Sequence, residues 1–408
     1  MKCRHCQGDD GVSFADLGSS PPSNAYLHKQ DLQAVEKWYP LKVFACSSCW
    51  LVQTEDYASR EEIFAADYAY FSSYSSTWLK HCEHYVENML RRFQLGPQSQ
   101  VGEVASNDGY LLQYFQAKGI PCYGIEPTES TAKAAREKKI QVFGEFFGRA
   151  FAQKHQKSGY AADLLIANNV LAHVPDINDF ISGFTELLKP QGAATFEFHY
   201  LSRLVQENQF DTLYHEHYSY LSLNAVKRIC ERNGLTVFDV EELPTHGGSL
   251  RVYAQRADTG QRPATPGLQR LLDQEQQQGL QTKTFYENFQ TKITAVKQQF
   301  LSFLLNAAAR QEKVVAYGAA AKGNTLLNFA GVRPDLLAYV VDRNPSKQGR
   351  YLPGSRIPIL SEENLKRDKP QWIVILPWNL REEIATQLAY AREWGAQFVT
   401  AIPSLTYF

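Results

Sequence analysis

The sequence predicts an α/β protein built around a doubly wound, Rossmann-like sheet, with a small zinc-binding module before it and a second Rossmann-like unit after it. Three observations carry this reading. Short apolar strands alternate with helical stretches between residues 101 and 256 and again from 313, the pattern of parallel sheets wrapped by helices. In both stretches a strand meets a helix through a turn of small residues, "ASNDG" (105–109) and "GAAAKGN" (318–324). Ahead of both stand two Cys-x2-Cys pairs, Cys3/Cys6 and Cys46/Cys49.

The cysteine pairs come first in the chain. Two-residue spacing lets both thiolates of a knuckle face one ion, and two knuckles complete a tetrahedron. Cys3, Cys6, Cys46 and Cys49 are therefore the expected ligands of a structural Zn2+, with no position left open for a substrate. His5 lies inside the first knuckle, but four sulfurs already suffice. Cys82, Cys122 and Cys230 are scattered and read as packing residues. Residues 1–62 hold too few apolar side chains for a large core, which is why a metal staple belongs there.

The second unit spans residues 63–262. Helical spacing of apolar residues from Trp78 to Phe93 predicts a helix. Strands follow in "VGEVAS", "CYGIEPT" and "DLLIANN", and a fourth in "GAATFEFHY" after the turn "KPQG". "TVFDVEEL" and "GSLRVYAQR" close the unit as a hairpin. A Gln-rich helical linker (263–310) leads to the last unit, 311–408, with four apolar strands in "KVVAY", "LLAYVV", "QWIVIL" and "AQFVTAI".

Composition bounds the partners. Lys and Arg (42) are balanced by Asp and Glu (43) in 408 residues, giving a net charge of −1. That is poor electrostatics for a nucleic-acid binder. No apolar run reaches the length of a membrane span, and "MKCRHCQGDD" does not read as a signal peptide. The expectation is a cytoplasmic protein without membrane or nucleic-acid partners, monomeric or homodimeric.

Strand, small-residue turn, helix, then an acid after the next strand is the arrangement that holds an adenosine cofactor. The acid is Glu126. The GxGxxG pattern is broken, because Ala105 and Asn107 stand where glycines would be. Fewer glycines are needed when no pyrophosphate approaches the turn, which favours S-adenosylmethionine (SAM) over a dinucleotide. The candidate cofactor-binding residues are Glu103, Ala105, Asn107, Gly109, Glu126, Asn168 and Asn169. In the last unit, Lys322 on its small-residue turn suits a phosphate, and Asp342 after the next strand suits a ribose.

"YHEHYSYLS" (214–222) gathers two histidines, a glutamate and tyrosines. His215 and His217 are two apart, which suits one face of a strand and not the one-turn spacing of a helical zinc site. With Glu216 on the opposite face, a metal there is not expected, and proton transfer is the better use of these groups.

"CRHC…CSSC", "DYAYFSSYS", "EVASNDGYLL", "GIEPT", "NNVLAHVPD", "YHEHYSYLS", "HGGSLRVY" and "YGAAAKGNTLLNF" together resemble the three-domain SAM-dependent C-methyltransferases of nucleotide-linked 4-keto-deoxysugars. The resemblance covers nearly the whole chain. It implies a zinc-binding domain, a class I methyltransferase sheet, and a C-terminal Rossmann-like domain, with the sugar nucleotide between the last two. The implied reaction is methylation at carbon, most naturally C-3, through an enolate of the ketosugar. His217 is the implied base, supported by Tyr214, Glu216, Tyr68 and His173; His215 is as readily a packed residue. Tyr68 and Tyr70 compete for one position. The candidate substrate-binding residues are Tyr70, His199, His246, Lys322, Asn324 and Asp342, for a dTDP-, GDP- or CDP-linked sugar. O- or N-methylation, and a zinc-containing nucleic-acid-binding module, are the competing functions; the first needs less acid–base apparatus than "YHEH" offers, and near-neutral charge counts against the second.

Overall fold

The computed structural model describes residues 2–57 and 71–408. Tyr68 and Tyr70, and the boundary expected between 62 and 63, lie outside the described residues.

The N-terminal module is an antiparallel sheet of β1 (Gly11–Ser20), β2 (Tyr39–Cys46) and β3 (Val52–Thr54). The Sγ atoms of Cys3, Cys6, Cys46 and Cys49 lie within 4.8 Å of one another. This is the donor set of a closed four-sulfur ion site. His5 stays out of that set: its Nδ1 faces Asn178 Oδ1 at 2.8 Å and ties the first knuckle to the next domain.

The central sheet contains β4 (Val101–Val104), β5 (Cys122–Ile125), β6 (Gln141–Phe143), β7 (Ala162–Asn168) and β8 (Leu188–His199). β9 (Ser219–Tyr220) leaves this domain and pairs with β3, becoming the fourth strand of the N-terminal sheet. β10 (Leu235–Leu243) and β11 (Ser249–Arg256) return as the expected antiparallel hairpin. The order is β10-β11-β8-β7-β4-β5-β6. β4 to β8 run parallel, and β11 lies antiparallel between β8 and β10. The chain moves outward from β4 in both directions, so the crevice at the carboxyl ends of β4 and β7 is where a ligand belongs.

Two local expectations are corrected. "KPQG" is not a turn between helix and strand; it lies within β8. Ala162 of β7 pairs with Leu188 and Leu164 with Ala193, so Lys189–Gly192 bulges where Pro190 has no N–H to give to the ladder. The supposed strand face of His215 and His217 is a turn, closed by the His217 amide on the Tyr214 carbonyl at 2.9 Å. Pairing begins only at Ser219. Ser222, the last residue of that motif, caps the helix Leu223–Arg232 by accepting from the Ala225 amide.

The C-terminal sheet has six strands where four were expected: β12 (Val314–Tyr317), β13 (Val340–Val341), β14 (Ile359–Leu360), β15 (Trp372–Ile375), β16 (Gln397–Thr400) and β17 (Thr406–Tyr407). The two additional strands, β14 and β17, are two-residue edges, too short to show alternation.

The segment expected as a linker is core. Helix Phe289–Ala309 buries Phe289, Ile293, Phe300 and Leu304 in one cluster shared with Phe14 and Val43 of the module and Val314 and Leu327 of the last domain. Phe14 stacks on Phe289 with ring centroids 4.4 Å apart. The N-terminal and C-terminal domains therefore share apolar surface, and neither closes its core alone. Among the described residues no helix is long and apolar enough to cross a membrane.

Because the four sulfurs hold the strand on which β9 pairs, losing the ion should be felt outside the module. Replacement of Cys49 with Ser is expected to lower the first unfolding midpoint by about 5–10 °C and to speed proteolysis around Tyr214–Tyr220. An unchanged melting curve in protein shown by elemental analysis to be metal-free would contradict this.

Candidate active site

The turn after β4 is built from residues that must adopt left-handed backbone. Ala105, Asn107 and Gly109 have φ of 56°, 49° and 74°. The missing glycines of the sequence pattern thus leave the geometry intact, with strain accepted at Ala105. At Gly109, on left-handed backbone that side chains rarely adopt, a Cβ would also come within 2.5 Å of the end of the Ile140 side chain and force it to shift. The amides of Ala105 and Ser106 both reach the Ile125 carbonyl. Glu126 accepts from the amides of Asn107 (2.9 Å) and Thr128 (2.8 Å). Burial raises its carboxyl, and those two amides oppose the rise. Glu103 lies wholly buried beneath the turn, and burial pushes its carboxyl well up, against the Tyr110 hydroxyl.

Asn168 ends β7 with both side-chain amide atoms buried and without a partner among the described residues. Such a group calls for a ligand. Asn169 is again left-handed, at φ 55°; its amide donates to the Glu197 carbonyl and its side chain meets His246 Nε2 at 3.3 Å. Glu103, Ala105, Asn107, Gly109, Glu126, Asn168 and Asn169 are thus brought to one edge of the sheet.

The turn Tyr214–His217 sits beside that edge. His217 Nδ1 lies 2.8 Å from the Thr212 carbonyl, and only an N–H can answer a carbonyl, so the ring carries its proton on Nδ1. Nε2 then accepts, and the Tyr214 hydroxyl donates to it at 2.9 Å. His173, on the short 3-10 turn Leu171–His173, packs edge-on against His217 with centroids 4.6 Å apart. The Glu216 carboxylate accepts from Asn24 Nδ2 at 2.7 Å. His215 turns away: its Nε2 faces the Pro40 carbonyl at 3.2 Å, with Tyr39 beside the ring. Thr54 of β3 holds the segment from behind, its hydroxyl on the His217 carbonyl and its amide on the Tyr218 carbonyl.

Every histidine of this cluster is held neutral. Burial drives His173 and His246 down to about 4 and His199 to about 3. His217 falls well below its ordinary value, first from burial and then because a proton on it and one on neighbouring His173 would repel. Lys322 adds positive potential at His199, His217 and His246. Its ammonium donates to the His246 carbonyl at 3.2 Å and lies 4.8 Å from the Trp378 ring centroid. Trp378 in turn donates to Asp211, whose carboxyl burial raises to about 6.

The expected substrate-binding residues do not all converge. His199 is bonded to Gln209 at 2.6 Å, and Asn324 spends its amide on the Ser23 carbonyl. Asp342 accepts from the amides of Ala319 and Asn344, so it shapes its turn. Lys322 and His246 meet each other. An open cleft of about 800 Å3 lies across the Gly247–Gly248 turn, between Arg203 of the central domain and Trp378–Glu383 of the last, and none of these histidines lines it. Gly247, at φ 91°, lets the turn reach Trp378, which a Cβ would approach to 2.3 Å. Sequence reading missed Asn24, Thr54, Asp211 and Trp378. Only Asp211 carried a signal, as an acid three residues before the histidine motif.

A doubly wound sheet with an antiparallel seventh strand, a left-handed turn after its first parallel strand and an acid after the second defines a SAM-dependent methyltransferase. Three family models match the chain: "Putative zinc binding domain" over residues 3–64, "Methyltransferase domain" over 79–240 and "C-methyltransferase C-terminal domain" over 244–403. C-methyltransferase NovU of Streptomyces niveus is 31% identical over 402 residues, covering 98% of this chain and 95% of that protein. The chain belongs to the C-methyltransferase family, uses SAM, and carries its zinc site in the four-cysteine module. Solved structures resemble it less. Magnesium protoporphyrin IX methyltransferase from Synechocystis, with bound SAH, is 19% identical over 44% of this chain and 83% of that one, at a TM-score of 0.35. The PH0226 protein of Pyrococcus horikoshii is 13% identical over 49% and 99%, at 0.37.

The burial that keeps the histidines neutral can be read directly. Selective 15N-histidine NMR is expected to show His173, His199 and His246 uncharged down to pH 5, and His217 as the Nδ1–H tautomer. Each has a folded pKa below its unfolded one, so each removes stability as pH falls below about 6.5. Asp211, and Glu275 with its carboxyl raised to about 7, act in the opposite sense. Ring resonances that titrate near 6.5 would show the cluster open to water.

Proposed function

We propose that this enzyme methylates a carbon of a nucleotide-activated 4-keto-deoxysugar, most naturally C-3, through an enolate formed by His217. The observation that carries the reading is the tautomer of His217: with Nδ1–H committed to Thr212, the lone pair of a neutral, half-buried imidazole stands at Nε2, beside the sheet edge that gathers the candidate cofactor residues. A carbon acid next to a ketone needs such a base, and a group positioned for it contributes about 10²–10⁴-fold. The Tyr214 hydroxyl already occupies Nε2. A proton arriving there displaces that hydroxyl or passes through it, so Tyr214 and His217 act as one acid–base unit.

SAM, held at the 105–109 turn and Glu126, supplies an electrophilic methyl when bound. The chain's own residues do the remainder. His173 packs the base in its rotamer; Glu216 offers a carboxylate to a polar substituent of the sugar. The Lys322 ammonium supplies positive potential as negative charge grows on the ketone oxygen. Methylation of an oxygen or nitrogen, whose lone pair exists beforehand, needs less of this acid–base apparatus. Deoxysugar biosynthesis is the setting such a product implies, and the partner is a dTDP-, GDP- or CDP-linked ketosugar.

Enolisation can be separated from transfer. With a 4-ketosugar nucleotide in heavy water and no SAM, deuterium is expected to enter the carbon beside the ketone. His217→Asn should slow that exchange at least about 10²-fold while SAM affinity stays within about twofold of wild type. Exchange that survives the substitution moves the base elsewhere. The active form of the base is neutral and its pKa is depressed, so kcat/KM should remain flat as pH falls through 6.5; an acid limb at that ordinary histidine value would contradict the assignment.

A further inference from the structure

We propose that Asn24, carried by the zinc module, is a positioning residue for methyl transfer and acts through Glu216. The inference rests on the role given to Glu216 above. Glu216 is 2% exposed, and a carboxylate at that depth costs several kcal/mol unless donors meet it. Asn24 Nδ2 meets it at 2.7 Å, a charge-assisted length. The donor is a neutral amide, so it fixes the carboxylate's direction without cancelling the charge, leaving Glu216 an acceptor for a substrate group.

Asn24 is itself held by another domain. Its neighbour Ser23 receives the Asn324 amide at 2.6 Å on its carbonyl, and the Tyr26 hydroxyl donates to the Ala319 carbonyl at 2.6 Å. Between these anchors the loop closes on itself, the Ala25 amide on the Pro22 carbonyl and the Tyr26 amide on the Asn24 carbonyl. Pro21 and Pro22 restrict the approach from β1. The C-terminal domain thus clamps the loop on both sides of Asn24, and the loop aims one amide at the catalytic turn. Glu216 is oriented by three domains at once.

A double-mutant cycle tests this with dTDP-, GDP- and CDP-linked 4-keto-6-deoxyhexoses as acceptors and SAM as donor. Asn24→Ala is expected to lower kcat about tenfold with SAM affinity unchanged, and to lower the melting midpoint by a few degrees because a buried carboxylate loses its donor. In a Glu216→Gln background the same change should cost less than about twofold, because its target is gone. Asn24→Asp gives the clearest signature. Two carboxylates at this separation share a proton, so the variant should work near wild type at low pH, where the introduced carboxyl is protonated and donates, and fail as pH rises. That descending limb is absent from wild type and from Asn24→Ala, and a purely structural contact does not generate it. If Asn24→Ala loses as much in the Glu216→Gln background as in wild type, or Asn24→Asp keeps the wild-type profile, the inference fails. If Glu216→Gln is fully active, the role of Glu216 fails and the inference with it. If no ketosugar is methylated, the proposed function fails first.

Discussion

A buried turn must satisfy its backbone, and here it does so in two directions. The segment Tyr214–Leu221 runs through the interior with its peptide groups shielded from water, where each unpaired N–H or C=O would cost about 1–3 kcal/mol. Its carbonyls at His217 and Tyr218 are answered by Thr54 of the zinc module. The Tyr218 amide is answered by Ala172, and the Leu221 carbonyl by Leu201, both of the central domain. The turn therefore exists only where the two domains meet. The zinc site, the sheet it braces and the proposed base at the turn form one chain of dependence, which gives the metal a structural reason to persist away from the chemistry.

The same burial sets the chemistry. Desolvation is the largest cause of the downward shift at His173, His199, His217 and His246. Neighbouring positive charge from Lys322 pushes three of them the same way. A depressed pKa makes a weaker base, so His217 in the proposed role gains readiness across neutral pH at some loss of driving force. In the proposed mechanism the compensation lies in placement: an ammonium whose potential reaches the cluster would also favour the enolate, and it holds its position through the His246 carbonyl and the Trp378 face. In that proposal one cation serves both ends of the proton transfer.

What the sequence shows of this depends on how local the cause is. Strand and helix periodicity placed β4, β5, β7, β8 and the β10–β11 hairpin, because each is long enough for its pattern to register. The paired Cys-x2-Cys spacing marked four residues that do converge. Glu126 was legible because the acid follows the second strand at a fixed remove from the turn. β6, β14 and β17 were not, being two or three residues long. The turn at 214–217 was misread as a strand because alternation in four residues cannot be told from a turn whose side chains are polar for chemical reasons. Asn24 lies beyond any local rule: its partner is 192 positions away, in another domain.

Part of the backbone strain falls at the same place as the burial. Ala105, Asn107, Asn169 and His246 all hold left-handed backbone, at about 1 kcal/mol or more each for residues other than glycine. Three of the four stand at the carboxyl edge of β4 and β7, and His246 faces Asn169 across the turn that also receives Lys322. Glycine would remove the cost, and the chain does use it next door, at Gly247 and Gly248. Where a side chain is kept despite the strain, the side chain is what is wanted. Asn169 and His246 meet through theirs, and the Asn107 side chain accepts from the Ser72 amide. Ala105 alone shows no such use; its methyl is the smallest departure from glycine, and nothing in the structure explains it. Four of the twelve described non-glycine residues with left-handed backbone thus gather where the proposed cofactor turn meets the histidine turn, and the other eight, Gln7 and Trp50 beside the zinc knuckles among them, lie elsewhere.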